Sequence, residues 1–94
     1  MPSNLSTLAP EHEVLIGMLK QLRRDRDLTL RQLAQDLGKH RNFVYKIEAG
    51  QRDVGVAELL EILRELKVEP AEFFQRFLEE VRSRAEPKEG PQRL

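Results

Sequence analysis

The segment from Leu28 to Gly50 constrains the fold of this chain more than any other stretch of the sequence. It divides at Gly38, because glycine adopts a positive φ angle without steric cost and therefore suits a tight turn between two helices. Apolar residues recur at helical spacing on both sides of that position. They are Leu33, Ala34 and Leu37 before it, and Val44 and Ile47 after it. The pattern predicts two short helices that cross closely at the small side chain of residue 34.

Two short helices joined by a glycine turn are typical of a helix-turn-helix, in which the second helix lies in the major groove of DNA. We predict that second helix over residues 41–49, with Phe43, Val44 and Ile47 on the side that faces the core. Four side chains suited to base edges share the opposite side: Arg41, Asn42, Tyr45 and Lys46. Arginine pairs well with guanine, and asparagine with adenine. The alternative is a solvated polar face with no DNA partner.

The remainder of the chain predicts three more helices and no strand, so the expected fold is all-α with five helices. A first helix starts at residue 10, with the apolar stripe Val14, Leu15, Met18, Leu19 and Leu22. Thr29 is a good N-cap for a helix over 30–37. Later helices follow over 56–66 and about 70–85, which gives one helix-turn-helix domain over residues 10–85. We expect residues 1–9 to be flexible and the tail 86–94 to be disordered.

The charge of this 94-residue chain is zero overall but unevenly distributed. Residues 20–52 carry nine basic and four acidic side chains, a balance of +5, whereas residues 53–86 carry nine acidic and five basic ones, a balance of −4. A basic segment of this kind suits a phosphate backbone. Ordinary solvated helix faces explain the same pattern equally well.

The sequence lacks the residue groupings that catalysis or metal binding needs. It has no cysteine, and its two histidines, His12 and His40, do not have metal-ligand spacing. We find no catalytic serine motif and no glycine-rich phosphate loop. We therefore expect no enzymatic activity, no cofactor, no metal and no small-molecule ligand. Because no signal peptide and no apolar run of membrane-spanning length is present, we expect a cytoplasmic protein without a membrane partner.

These features resemble the Cro and phage-repressor class of helix-turn-helix domains, the XRE-type family. The resemblance covers about residues 15–74. It rests on the pairs Leu28-Thr29, Leu33-Ala34 and Leu37-Gly38, on the run Phe43-Val44-x-Lys46-Ile47-Glu48-x-Gly50, and on a leucine-rich helix that closes on Pro70-Ala-Glu-Phe73. It implies a five-helix lambda-repressor-like fold, double-stranded DNA as the partner, a homodimer, and transcriptional regulation with repression as the expected mode.

The resemblance also implies roles for individual side chains. Arg41, Asn42, Tyr45 and Lys46 correspond to base-side residues, and Thr29, Lys39 and Arg52 to phosphate-side residues. The chain departs from the family pattern at three positions, where Leu30 replaces a frequent glutamine, Lys39 an apolar turn residue, and His40 a serine, threonine or proline. We expect a phosphate contact from Lys39, and from His40 either a phosphate contact or a poor helix cap.

Two alternatives stay open at this level. Phe77, Leu78 and Val81 extend the apolar surface of the last helix beyond what a compact domain needs, which predicts a dimer interface; alternatively they fold back on the first helix. The zero net charge and Leu30 favour a second function, a protein-binding helix-turn-helix module such as an antitoxin or coactivator. Salt dependence separates the two functions, because only phosphate binding weakens steeply with salt.

Overall fold

The computed structural model describes residues 9–85, so the predicted flexible segment up to residue 8 and the predicted tail 86–94 lie outside the described residues. Between residues 9 and 85 the chain forms five α-helices and no strand, as predicted. They are α1 (Pro10–Asp25), α2 (Leu30–Asp36), α3 (Phe43–Glu48), α4 (Val56–Glu65) and α5 (Pro70–Ala85). None of these five helices combines the length and the apolar character that crossing a membrane requires.

Local signals fix both ends of α2. The Thr29 hydroxyl accepts a hydrogen bond from the Gln32 N–H (3.0 Å), and the Gln32 side chain accepts one from the Thr29 N–H (2.8 Å). This reciprocal pair satisfies two donors that a helix start leaves free. At the other end Gly38 has a φ of +71°, and the N–H of Lys39 donates to the carbonyl of Ala34 (2.9 Å). The predicted cap and the predicted glycine turn are both confirmed.

The core is a single apolar cluster to which all five helices contribute. Its buried members are Leu19, Leu33, Ala34, Phe43, Val44, Ile47, Leu59, Ile62, Leu63, Leu66 and Phe73. The predicted inward face of α3 is therefore confirmed. Ala34 carries only a methyl group and is completely buried, and α2 and α3 pack against each other.

Helix α1 is buried more widely than its predicted stripe. Val14 and Leu19 are buried as expected, but Ile16 and Arg23 are buried as well. The reason is that α1 contacts α3 on one side and α5 on another, so that no single stripe describes its buried surface. Arg23 is one of the nine basic residues of the segment 20–52, but its side chain is buried and is therefore not available to a phosphate backbone.

Helix α5 splits its apolar residues between the core and the solvent. Phe73 is buried, and Phe77 is half-buried against the core, with its ring stacked 6.4 Å from that of Phe73. Phe77 therefore packs in part against the core of its own monomer. Leu78 is 52% exposed, Phe74 is 49% exposed, and Val81 is half-buried.

Candidate nucleic-acid interface

Helix α3 is shorter at its start than the sequence predicted. It begins at Phe43 rather than at residue 41, because the N–H of Phe43 donates to the carbonyl of His40 (2.9 Å) and closes a turn over residues 40–43. His40 also stabilises this turn through its Nδ1 atom, which accepts the N–H of Asn42 (3.1 Å). Arg41 and Asn42 consequently lie in the turn before the helix, outside the helical part of the predicted segment 41–49.

The four predicted base-side residues are nevertheless exposed together. Arg41, Asn42, Tyr45 and Lys46 all face solvent, while the opposite side of α3 is buried in the core. A shallow groove of about 380 Å³ runs beside the turn. Its lining residues are Leu30, Arg31, Arg41, Asn42 and Tyr45. The structure thus joins the start of α2 and the start of α3 into one exposed surface.

A second groove of about 440 Å³ adjoins the first and shares Arg31 and Arg41 with it. Its other lining residues are Gln35 and Lys39. Sequence reasoning missed Arg31 and Gln35 as candidate contacts. Their spacing of four positions on a polar helix face was the available signal, but it does not say which way that face points until α2 is docked on α3.

Thr29 lies at the start of α2 and uses its hydroxyl as the helix cap described above. Its oxygen still has a proton to donate, since the cap requires only an acceptor. His40 is exposed and occupied with the Asn42 N–H. Both predicted phosphate-side residues therefore have a structural role in positioning the backbone of this surface.

Arg52 and Lys39, the other predicted phosphate-side residues, are both tied to carboxylates of α4. Arg52 makes a bidentate contact with Glu58, at 2.8 and 2.9 Å. The ammonium of Lys39 lies 3.7 Å from a carboxylate oxygen of Glu61. Both cations also lie over the ring of Phe43, at 4.7 Å for Arg52 and 5.5 Å for Lys39.

These ion pairs change the electrostatics that the sequence suggested. Of the nine basic residues counted over 20–52, three form ion pairs with carboxylates of the described part of the chain, namely Arg23, Lys39 and Arg52. Among residues 9–85, Arg31, Arg41 and Lys46 form no ion pair with another described residue. The Arg52 guanidinium, together with the N–H of Gly55, lowers the pKa of Glu58 from its ordinary value of 4.5 to about 2.

Solved structures of similar fold include the restriction-modification controller protein C.Esp1396I. A point mutant of that protein bound to its highest affinity operator site OM matches with a TM-score of 0.68 at 24% identity, over 79% of this chain and 96% of that chain. The C.Esp1396I tetramer in complex with its natural 35 base-pair operator matches with a TM-score of 0.64 at 21% identity, over 80% of this chain and 96% of that chain. At these identities the likeness concerns the fold.

A comparison with curated protein sequences finds no match. A family model, in contrast, matches residues 19–73 under the description helix-turn-helix. The matched segment extends from the second half of α1 to the first turn of α5 and includes both helices that form the exposed surface described above. Since it spans more than half of the chain, the protein belongs to the helix-turn-helix family.

Proposed function

We propose that this protein is a sequence-specific DNA-binding transcriptional regulator, with repression as its expected mode. The observation that carries the proposal is the exposed surface of α2 and α3, where Arg31, Arg41 and Lys46 form no ion pair with any residue between 9 and 85. In a helix-turn-helix the N-terminal residues of the second helix contact base edges. Arg41 and Asn42 precede that helix directly, and Tyr45 and Lys46 follow on its exposed side.

The structural likeness to C.Esp1396I supports this function, since structures of that protein contain operator DNA. We assign base contacts to Arg41, Asn42, Tyr45 and Lys46, and phosphate contacts to Thr29, His40 and Arg31. The proposal gives the protein a binding role and no catalytic step. It places the protein in the cytoplasm, as the sequence predicts, in contact with double-stranded DNA.

The experiment is selection of bound duplexes from a randomised DNA pool, repeated with Arg41→Ala. If Arg41 contacts a base, the variant should lose about 1–3 kcal/mol of operator affinity and relax its preference at one base pair. The control is Arg82→Ala, which removes an exposed cation from α5. A loss that is equal on every sequence would assign Arg41 to the phosphates instead. If the unsubstituted chain enriches no sequence, the protein-binding alternative replaces the proposal.

We also propose a homodimer, because one small domain contacts few base pairs and paired half-sites supply the missing specificity. The exposed side chains of Phe74 and Leu78 are four positions apart on α5 and therefore lie on one face, with Val81 half-buried beside them. Leu78→Glu should convert the dimer into a folded monomer in light scattering after gel filtration. Glu79→Gln, an exposed neighbour, serves as the control. An unaltered dimer in the Leu78 variant would place the interface elsewhere.

A further inference from the structure

The family resemblance assigns Lys39 and Arg52 to phosphate contacts, but in the structure both are paired with carboxylates of α4. We propose that Arg52 is a positioning residue for the DNA-binding surface, which acts through the ring of Phe43 and does not bind phosphate itself. The inference rests on the proposed DNA-binding function. It assigns the same supporting role, to a lesser degree, to Lys39.

Phe43 connects Arg52 to the base-contacting turn. It is the first residue of α3, its ring is buried, and it follows Arg41 and Asn42 directly in sequence. The guanidinium carbon of Arg52 lies 4.7 Å from the ring centroid, a distance at which a cation and an aromatic face attract each other. Because the ring is held in the core, its position restrains the backbone of Arg41 and Asn42, which precede it directly.

Arg52 is itself held at several points. Its two terminal nitrogens donate to the two carboxylate oxygens of Glu58, and one of them also donates to the carbonyl of Asp53 (2.9 Å). Glu58 is fixed in turn, because it accepts the N–H of Gly55 at the start of α4 (3.1 Å). The planar guanidinium therefore forms a brace between the first turn of α4 and the first residue of α3.

To bind a phosphate, Arg52 would have to give up its bidentate contact with Glu58 and its contact with the Phe43 ring. Arginine forms bidentate charged hydrogen bonds with carboxylates and with phosphates alike. Replacing the Glu58 contact by a phosphate contact would therefore gain little binding free energy. Arg31 and Arg41, in contrast, have no such competitor among the described residues.

Glu58→Gln distinguishes the two roles by the sign of its effect. If Arg52 were a phosphate ligand, the substitution would release its guanidinium and raise the affinity for DNA. If Arg52 is a brace, the substitution loosens Phe43 and lowers operator affinity by about fivefold, the change expected when contacts of this strength are lost. The probe is the duplex that the unsubstituted chain enriches from a randomised pool, measured beside a scrambled duplex of the same base composition.

Arg52→Gln supplies a second, independent readout in the salt dependence of binding. Loss of one phosphate contact lowers the slope of log K against log salt by about 0.9, whereas loss of a brace leaves the slope unchanged. We expect an unchanged slope, unchanged binding to the scrambled duplex, a reduced preference for the operator, and partial recovery with Arg52→Lys. All binding is measured at a temperature at which thermal unfolding shows each variant to be folded.

Every other outcome overturns the inference. A lower slope, an equal loss on both duplexes, unchanged operator binding, or tighter binding by the Glu58 variant would each contradict the brace. Failure of the proposed function is separately visible, since the unsubstituted chain would then show no preference between the two duplexes. The Arg41→Ala variant adds a positive control, because it should lose operator preference whichever role Arg52 has.

Discussion

An arginine–carboxylate pair lies at each end of α3, and the two pairs differ in their exposure to solvent. At the C-terminal end Glu48 accepts two hydrogen bonds from Arg23 of α1, at 2.7 and 3.0 Å, and the two side chains are only 8% and 10% exposed. At the N-terminal end Phe43 lies against Arg52, whose pair with Glu58 of α4 is 37% and 27% exposed. The geometry is bidentate in both cases, but only the first pair is removed from water.

Burial decides what each pair does. A buried charge that loses its partner is strongly destabilising, because no water replaces the missing contact. Arg23 reinforces this arrangement with a third hydrogen bond, to the carbonyl of Leu28 (2.7 Å), and so connects α1, the segment before α2, and α3. An exposed pair exchanges with water and is screened by salt. The pair at the C-terminal end of α3 therefore contributes strongly to stability, while the pair at the N-terminal end, next to the base-side residues, contributes less to stability and acts on the position of Phe43.

The comparison is tested most directly by Glu48→Ala. The variant leaves the guanidinium of Arg23 buried without its carboxylate, and we expect it to lower the free energy of unfolding in urea by about 3–5 kcal/mol. The control, Glu61→Ala, removes an exposed carboxylate near the other end of α3 and should change it by about 0.5 kcal/mol or less. Losses of similar size would show that burial does not distinguish the two ends.

A substitution at Gly38, in the turn between α2 and α3, should change the free energy of unfolding by an intermediate amount. Gly38 has a φ of +71° and no neighbour within 4 Å of an added Cβ atom, so Gly38→Ala introduces backbone strain without a clash. We expect it to destabilise the fold by about 1–2 kcal/mol in urea unfolding. Gly17 in α1 also has open space around it, and there Gly17→Ala should stabilise by about 0.5–1 kcal/mol. The same sign at both positions would contradict the assigned backbone conformation.

The sequence predicts those parts of the molecule that depend on local signals. The glycine turn, the Thr29 cap, the five helices and the inward face of α3 follow from spacing and capping chemistry. The ion pairs do not follow, because Arg23 and Glu48 are 25 positions apart and either charge is equally acceptable on a solvated face. The start of α3 was also misplaced, since the His40 side chain stabilises a turn that competes with the first helical residues.

The sequence predicts which side chains of the candidate site are exposed, but not which nearby cations are paired with carboxylates. Arg41, Asn42, Tyr45 and Lys46 are exposed as expected. For Tyr45 and Lys46 the reason is that the apolar residues of α3 determine which side of the helix faces inward. Whether a cation nearby is free or paired depends on how α4 docks, and the sequence contains no local signal for that. Arg52 was therefore expected at the phosphates and Arg31 was not, although Arg52 is paired with Glu58 beside Phe43 and Arg31 forms no ion pair within residues 9–85.

Acid should break the exposed pair of Arg52 with Glu58 by protonating Glu58. The resulting loss of stability is the smallest effect we predict. The pKa of Glu58 is about 2 in the folded protein, below its ordinary value of 4.5, so the unfolded chain takes up the proton more readily. The stability that Glu58 contributes is therefore fully present above about pH 4.5 and declines as the pH falls toward 2. The difference in the free energy of unfolding between the unsubstituted protein and Glu58→Gln should shrink over that range. Glu79→Gln, which removes an exposed carboxylate without a described ion pair, should show no such trend; a constant difference for Glu58→Gln would mean that its bond to Arg52 does not persist in solution.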